Sequence, residues 1–288
     1  MPRFSHRLRD LLARLPIKAF REPPPTVAVV RLVGPIGQVG LGRQGLTLSR
    51  LGGALELAFS LWQVKAVALV INSPGGAAVQ SALIGQRIRD LAEEKKVPVF
   101  AFAEDVAASG GYWLAAAADE IFVNESSIVG SIGVIAGGFG LAELARRFGL
   151  RRRVYKAGER KSLLDPFLPE KPEEVARLQV ILDEVHGRFQ DWVRTRRGER
   201  LKAPEDELFS GEFWTGARAV ELGLADGIGE LRSTLRQRFG DKVRLKLVNP
   251  DESWWRRRFG LPVAEPESWA EDALAVAEAR ALWTRYGL

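Results

Sequence analysis

The residues that most often do chemistry in enzymes are scarce in this chain. Its 288 residues include two histidines and no cysteine. Without cysteine there are no disulfides, thiolate metal ligands or thiol nucleophiles. His6 sits among arginines near the start, and His186 borders the apolar stripe of a long helical pattern, where packing is the simpler role. A Ser-His-Asp triad or a histidine zinc site is therefore poorly supported. Ser109 stands in Ala107-Ala108-Ser109-Gly110-Gly111-Tyr112, between a strand pattern and a helix pattern. A serine there can attack a substrate or merely cap the helix. Lys161 stands in Gly158-Glu159-Arg160-Lys161-Ser162-Leu163-Leu164-Asp165-Pro166-Phe167, where a lysine is ordinarily a solvated surface residue. Lys156, five residues earlier, is a rival amine.

Glycines mark two further places. In Ile71-Asn72-Ser73-Pro74-Gly75-Gly76 a buried-strand pattern runs into a Pro-Gly-Gly turn that opens a helix. Glycines there let backbone N–H groups turn towards a bound oxygen, and the helix start adds positive potential. The same sequence also suits an ordinary turn. Gly40-Leu41-Gly42-Arg43-Gln44-Gly45 matches a dinucleotide fingerprint by letter, but it starts seven residues after Val33 and lacks the acidic residue about twenty positions on. A glycine-rich loop is the better reading.

The elements that must hold these residues alternate. Residues 26–33 read as a strand, 66–71 as a fully buried strand, 77–96 as a helix and 97–103 as a strand. A helix over 109–118 and a short strand over 120–123 follow, with another strand expected over 152–156. Alternation of this kind predicts an α/β core with parallel strands. Pro172-Glu173-Glu174 opens a long helix to about Arg197, with Leu178, Leu182, Val185, Phe189 and Trp192 on its apolar stripe. A shorter helix covers 217–222. Trp254-Trp255 precede three arginines, and 269–286 resembles a terminal helix.

Hydrophobic residues make up 46% and charged residues 27%, which excludes a wholly disordered chain. The net charge of +6 is concentrated: residues 1–21 hold six basic residues against Asp10, a balance of +5. The other 267 residues carry only +1, so the body offers no electrostatic case for nucleic acid. Phe4, Leu8, Leu11, Leu12 and Leu15 give this arm an apolar face, and Pro23-Pro24-Pro25 follows as a stiff spacer. Such an arm suits peripheral contact with anionic lipid. No apolar run approaches the roughly 18 residues of a membrane span, and no secretory signal is legible. A cytoplasmic protein, or one peripheral on the cytoplasmic membrane, is expected. Three regions follow: residues 1–25 as arm and linker, 26–248 as the main domain, and 249–288 as a helical extension.

Taken together, five segments in order resemble the S49 peptidase family, the group of signal peptide peptidase A and protease IV. They are 72–76, 108–112, Val129-Gly130-Ser131-Ile132-Gly133-Val134, 158–167, and Trp214-Thr215-Gly216 followed by Leu222-Gly223-Leu224-Ala225-Asp226. The resemblance runs from about Val27 to Gly229. It implies a ClpP/crotonase-type fold of stacked ββα units and a serine–lysine pair, with Ser109 as nucleophile and Lys161 as base. It also implies that Ser131 orients the lysine and that the Gly76 and Gly110 amides form the oxyanion hole. Apolar peptides, such as remnant signal peptides, become the expected substrates, cut through an acyl-enzyme without metal or cofactor. Half-length members of the family form rings in which neighbouring protomers share each site, so a homo-oligomer is implied. The chemistry is coherent, because neutral lysine can activate a serine. An ordinary lysine, near pKa 10.4, is only about 0.1% neutral around pH 7.4, so the surroundings must favour the neutral form. Two departures stand out: the membrane anchor of many members is not seen, and there is one peptidase repeat where long members have two. A crotonase-type acyl-CoA enzyme, with carboxylates in its site, and an inactive membrane-associated scaffold are the alternatives.

Overall fold

A computed structural model describes residues 24–39, 43–158, 160–249 and 281–287. The basic arm, the middle of the glycine-rich loop and the Trp254-Trp255 region lie outside the described residues. The chain enters through β1 (Thr26–Val33), a small hairpin of β2 (Gln38–Val39) and β3 (Arg43–Gln44), and helix α1 (Leu48–Phe59). Next come β4 (Val64–Ser73), α2 (Ala78–Lys95), β5 (Val99–Ala108), α3 (Gly110–Ala116), β6 (Glu120–Val123) and β7 (Ile128–Gly130). After α4 (Ala142–Arg147) and the long α5 (Pro172–Arg197), the chain adds α6 (Glu205–Leu208), β8 (Phe213–Thr215) and α7 (Gly216–Glu221). It then closes through β9 (Gly227–Ile228), α8 (Leu231–Phe239) and β10 (Arg244–Val248).

The main sheet runs β10-β1-β4-β5-β6-β9, and every pairing along that path is parallel. Parallel strands need both faces covered, which explains why β4 is an unbroken apolar run rather than an alternating one. Its Val67, Leu69 and Ile71 join the larger core, beneath Leu51 and Leu55 of α1, Ile84 and Ile88 of α2, and Phe189 of α5. Its Ala66, Ala68 and Val70 face the opposite way, with Phe100, Phe102 and Leu235 of α8. Successive strand residues point to opposite faces, so one apolar run feeds two cores.

The α/β expectation with parallel strands holds. Strand β5 runs further than the sequence pattern suggested, and this extension matters for the site. Its first half pairs with β6 at Phe100–Phe102, while its second half, Val106–Ala108, pairs with β7. The sheet therefore forks just before Ser109. One expected strand is absent: 152–156 pairs with no strand among the described residues and lies exposed in irregular chain. Its valine and tyrosine mimic a strand, but nothing in the described chain pairs with it. Of the expected terminal helix, 281–284 is helical, and 250–280 lies outside the described residues.

Candidate active site

Ser109 follows β5 directly and occupies the N-cap position of α3, yet it does not behave as a cap. Capping serines hold an extended backbone and accept from an amide of the first turn. Ser109 has φ 52° and ψ −124°, and its side chain makes no capping hydrogen bond. Among the described residues nothing hydrogen-bonds its hydroxyl. Positive φ in a non-glycine residue is costly by about 1–3 kcal/mol and must be imposed by the surroundings. The Ser109 amide is tied to the Gly130 carbonyl at 2.8 Å, and the Trp113 amide donates to the Ser109 carbonyl at 3.0 Å. Backbone bonds on both sides thus hold the turn and leave the hydroxyl available.

The Pro-Gly-Gly turn lies against it. A Cβ on Gly75 (φ 98°) would stand 2.7 Å from the Ser109 Cβ and 2.8 Å from the Gly110 nitrogen. Only glycine allows the two turns to approach this closely. Gly76 (φ 143°) is pinned beside Ile36, whose amide donates to the Gly75 carbonyl at 2.8 Å and whose carbonyl accepts from the Ala77 amide at 2.9 Å. Both bonds come from the neighbours of Gly76, so neither uses its own amide. The Gly110 amide opens a helix and belongs to the first turn, whose N–H groups have no intrahelical partner. Two amides from adjacent turns thus border Ser109.

A cleft of about 610 Å³ opens over this arrangement, and Ser109, Gly110, Gly76 and Ser131 all line it. Ser131, also at positive φ (53°), is buried at the end of β7, with its amide on the Glu212 carbonyl at 2.6 Å. The deeper wall is apolar and aromatic. Trp113 stacks on Phe189 with ring centroids 4.6 Å apart, and Trp192 lies 6.3 Å beyond, donating from Nε1 to the Trp113 carbonyl at 3.0 Å. His186 shares this wall, but its Nε2 lies 3.0 Å from the Ile132 carbonyl and Gln190 reaches its ring. It is a packed side chain with its own partners, as its place beside the stripe suggested. Among the described residues, no Asp or Glu lines the cleft and no group of acidic or histidine side chains could hold a metal ion.

Lys161 is not brought to this cleft. It is exposed, absent from the lining, and belongs to a segment, 133–171, whose only helix among the described residues is α4. Lys156 is exposed as well, and its Nζ donates to the Ser162 hydroxyl at 3.2 Å. This segment carries apolar side chains that a solvated loop does not need: Phe139 is 85% exposed, Phe148 72% and Tyr155 92%. It keeps its own shape, with the Leu141 amide on the Pro166 carbonyl at 2.6 Å and Arg152 paired to Asp165 at 3.1 Å. The Phe167 amide and the Arg152 guanidinium, against the opposing pull of burial, hold the Asp165 carboxyl below its usual range. Sequence reasoning did not anticipate Trp113 as a wall of the cleft, nor the tail residues Leu282 and Arg285, which also line it. A buried aromatic at helical spacing reads alike whether it faces a core or a cavity.

An α/β protein with a serine held in a strained strand-to-helix turn, beside two unspent amides, has the parts for acyl transfer through a hydroxyl. The sequence model of peptidase family S49 matches residues 91–243, more than half of the chain, and the protein belongs to that family. It is 49% identical over 291 residues to a Brucella abortus protein named "Na(+)/H(+) antiporter NhaA", covering 98% of this chain and 39% of that one. It is 34% identical over 217 residues to "Serine protease SPPA, chloroplastic" of Arabidopsis thaliana, covering 69% of this chain and 32% of that one. To "Protease 4" of Haemophilus influenzae it is 29% identical over 230 residues, covering 79% and 37%. The chain thus spans about a third to two fifths of these relatives' lengths. Among the described residues, no helix is long and apolar enough to cross a membrane.

Proposed function

We propose that the protein is a serine endopeptidase in which Ser109 is the nucleophile and Lys161 of a neighbouring copy is the general base. The observation that carries this reading is the separation of the two residues. Ser109 waits in a formed cleft with none of the described residues bonded to its hydroxyl, while Lys161 lies outside that cleft on a segment with exposed apolar side chains. Exposed Phe139, Phe148 and Tyr155 would be buried if this segment packed on a second copy, which would carry the lysine with it. Lysine transferred into an enclosed cleft loses water, and desolvation favours its neutral form.

In this mechanism the Ser109 Oγ attacks the peptide carbonyl carbon, and the lysine Nζ takes the hydroxyl proton. The amides of Gly76 and Gly110 stabilise the tetrahedral oxyanion, each donor worth about 3–4 kcal/mol in comparable sites. The C–N bond then breaks, the lysine proton passes to the leaving amine, and an acyl ester remains on Ser109. Water, deprotonated by the same lysine, releases the acid. Ser131 would orient the lysine from the cleft wall. The aromatic wall favours apolar side chains, which suits remnant signal peptides, the substrate class implied by the family resemblance. Among the described residues no carboxylate lines the cleft, which speaks against a crotonase-type acyl-CoA reaction. Antiporter activity is not carried over, because the match covers 39% of that relative.

The test uses mixed assemblies. Ser109→Ala and Lys161→Ala should each abolish cleavage of an apolar peptide, whereas Lys156→Ala should retain it. A head-to-tail interface pairs the serine side of one copy with the lysine side of the next. Equal co-assembly of the two inactive variants should therefore restore about a quarter of the sites. Zero recovery in mixed assemblies verified by differential tags would reject the shared site, and full activity of folded Ser109→Ala protein would reject the nucleophile.

A further inference from the structure

Strand β7 ends in the stretch 130–133, which supports the site twice over. The Gly130 carbonyl accepts from the Ser109 amide at 2.8 Å, and Ser131 lines the cleft. Ser131 sits at φ 53°, a conformation that its surroundings must impose. Its amide is tied to the Glu212 carbonyl at 2.6 Å, just before β8. The next carbonyl, of the fully buried Ile132, faces the His186 Nε2 on α5 at 3.0 Å. This last tie is made by a side chain, so a substitution can cut it alone. A carbonyl only accepts, so Nε2 carries the ring proton and Nδ1 keeps a lone pair. Gln190, one turn along α5, places its Nε2 3.4 Å from Nδ1 and 3.3 Å from Nε2, and of the two only Nδ1 can accept from it. The Gln190 amide is itself oriented, because Arg194 Nη2 donates to its Oε1 at 3.3 Å. Arg194 in turn is held by both oxygens of Glu205, at 2.8 Å and 2.9 Å, and by Asp191 at 2.9 Å. Its guanidinium lies 5.0 Å over the Phe209 ring. Residues 186, 190 and 194, at i, i+4 spacing, thus form a polar chain along α5 that ends on the Ile132 carbonyl.

We infer that His186 is a positioning residue, which fixes the Ile132 carbonyl to α5 and so holds Ser131 and the Gly130 carbonyl, the partner of the Ser109 amide, in their working places. The inference rests on the peptidase reading for its catalytic consequence, but not for the positioning itself. The contacts favour this role over acid–base work. Both ring nitrogens face protein partners, so neither is free to exchange a proton with a peptide in the cleft. Without the imidazole, the buried Ile132 carbonyl would lose its partner, and a buried acceptor left unmade is worse than one never buried. The strained Ser131 backbone would then be held by fewer bonds, one residue away from the Gly130 carbonyl and the turn it steadies.

The test compares two substitutions in the full chain. Glutamine places an amide nitrogen near the position of the imidazole Nε2 and an oxygen that accepts from Gln190, so His186→Gln keeps both contacts. His186→Phe keeps the ring's bulk and loses both. Losing one such bond corresponds to about three- to tenfold in a local opening equilibrium. Hydrogen exchange read by mass spectrometry on peptides covering 107–113 and 128–134 should therefore be about three- to tenfold faster in His186→Phe, with β4 unchanged, and within about twofold of wild type in His186→Gln. Cleavage of an apolar peptide should lose about three- to tenfold in kcat in His186→Phe, with KM changed by less than that, and His186→Gln should recover most of it. If His186→Phe does not fold, His186→Asn takes its place, because its amide is one methylene too short to reach Ile132. If the protein cleaves nothing, the peptidase reading fails while the exchange measurement still decides the inference. Wild-type exchange in the Phe or Asn variant, a Gln variant as impaired as the Phe variant, or an unchanged kcat in a protein with faster exchange would each overturn it.

Discussion

The sharpest single perturbation of the site is one methyl group at Gly75. An alanine Cβ there would lie 2.7 Å from the Ser109 Cβ, 2.8 Å from the Gly110 nitrogen and 3.0 Å from the Ala108 carbonyl oxygen. Ordinary contact begins near 3.4 Å, so the two turns must part by about 0.4–0.7 Å. A residue other than glycine at φ 98° adds strain of about 1–3 kcal/mol, and overpacking adds about 1–3 kcal/mol more. The expected destabilisation is thus roughly 2–6 kcal/mol, or a Tm lower by about 4–24 °C in a domain of this size. Catalysis should suffer separately, because the displaced atoms belong to the proposed nucleophile and a proposed oxyanion donor. Losing one such donor lowers kcat by about 10²–10³, and Gly75→Ala should fall near 100-fold with KM within about threefold. Thermal unfolding and steady-state cleavage of an apolar peptide at a temperature well below the variant's Tm separate the two effects. Gly53→Ala is the control: Gly53 is exposed in α1, nothing lies within 4 Å of where its new methyl would stand, and a gain of about 0.5–1 kcal/mol with unchanged activity is expected. A folded Gly75→Ala protein with kcat within threefold of wild type would refute the idea that the two turns form one catalytic unit.

Three other expectations concern stability and location. Arg197 is buried and donates to Asp226 at 2.7 Å and 3.1 Å and to the Gly223 carbonyl at 2.7 Å, so Arg197→Met should cost about 3–5 kcal/mol in urea unfolding. Burial pushes the Asp226 carboxyl up, but the Arg197 bond and charge, the Ile121 amide and Arg200 outweigh it and hold it below the usual range. A depressed carboxyl stabilises the fold above its unfolded pKa and loses that contribution as pH falls through the folded value. The stability gap between wild type and Asp226→Asn should therefore be full at pH 7 and shrink below about pH 4; a gap that grows in acid would contradict the assignment. For the arm, sedimentation with anionic vesicles should drop when residues 1–21 are removed and weaken with salt, and equal sedimentation with and without the arm would reject lipid contact.

The sheet was legible because its chemistry is local. Parallel strands covered on both faces leave continuous apolar runs, as in Val67–Ile71, and Pro172 marks a helix start because its missing N–H costs nothing there. The strand expected at 152–156 failed for the converse reason: β-forming residues make a strand only when a partner edge is present. Ser109 was visible as a candidate but ambiguous, since sequence cannot separate a capping serine from one held at φ 52°. Trp113 and Phe189 read as core, and they are core on one side and cleft wall on the other. The position of Lys161 relative to Ser109 was beyond any single-chain pattern, because the proposed pair spans two copies. The contact of His186 with the Ile132 carbonyl joins residues 54 positions apart, and only tertiary structure reveals such a pairing.

The neighbours of β1 have a consequence for how the protein is made. Strand β1 lies between β4 and β10, and among the described residues β10 is the last strand of the sheet to leave the ribosome. Until Arg244–Val248 emerges, the backbone groups of β1 on that side have no partner, and an unpaired strand edge is a template for aggregation. Pairing residues more than two hundred positions apart is also slow, since loop closure precedes the contacts that reward it. The nascent domain therefore carries an open edge through nearly its whole synthesis. A chain ending before β10 would keep that edge permanently, and its fate should be inclusion bodies rather than a smaller soluble domain.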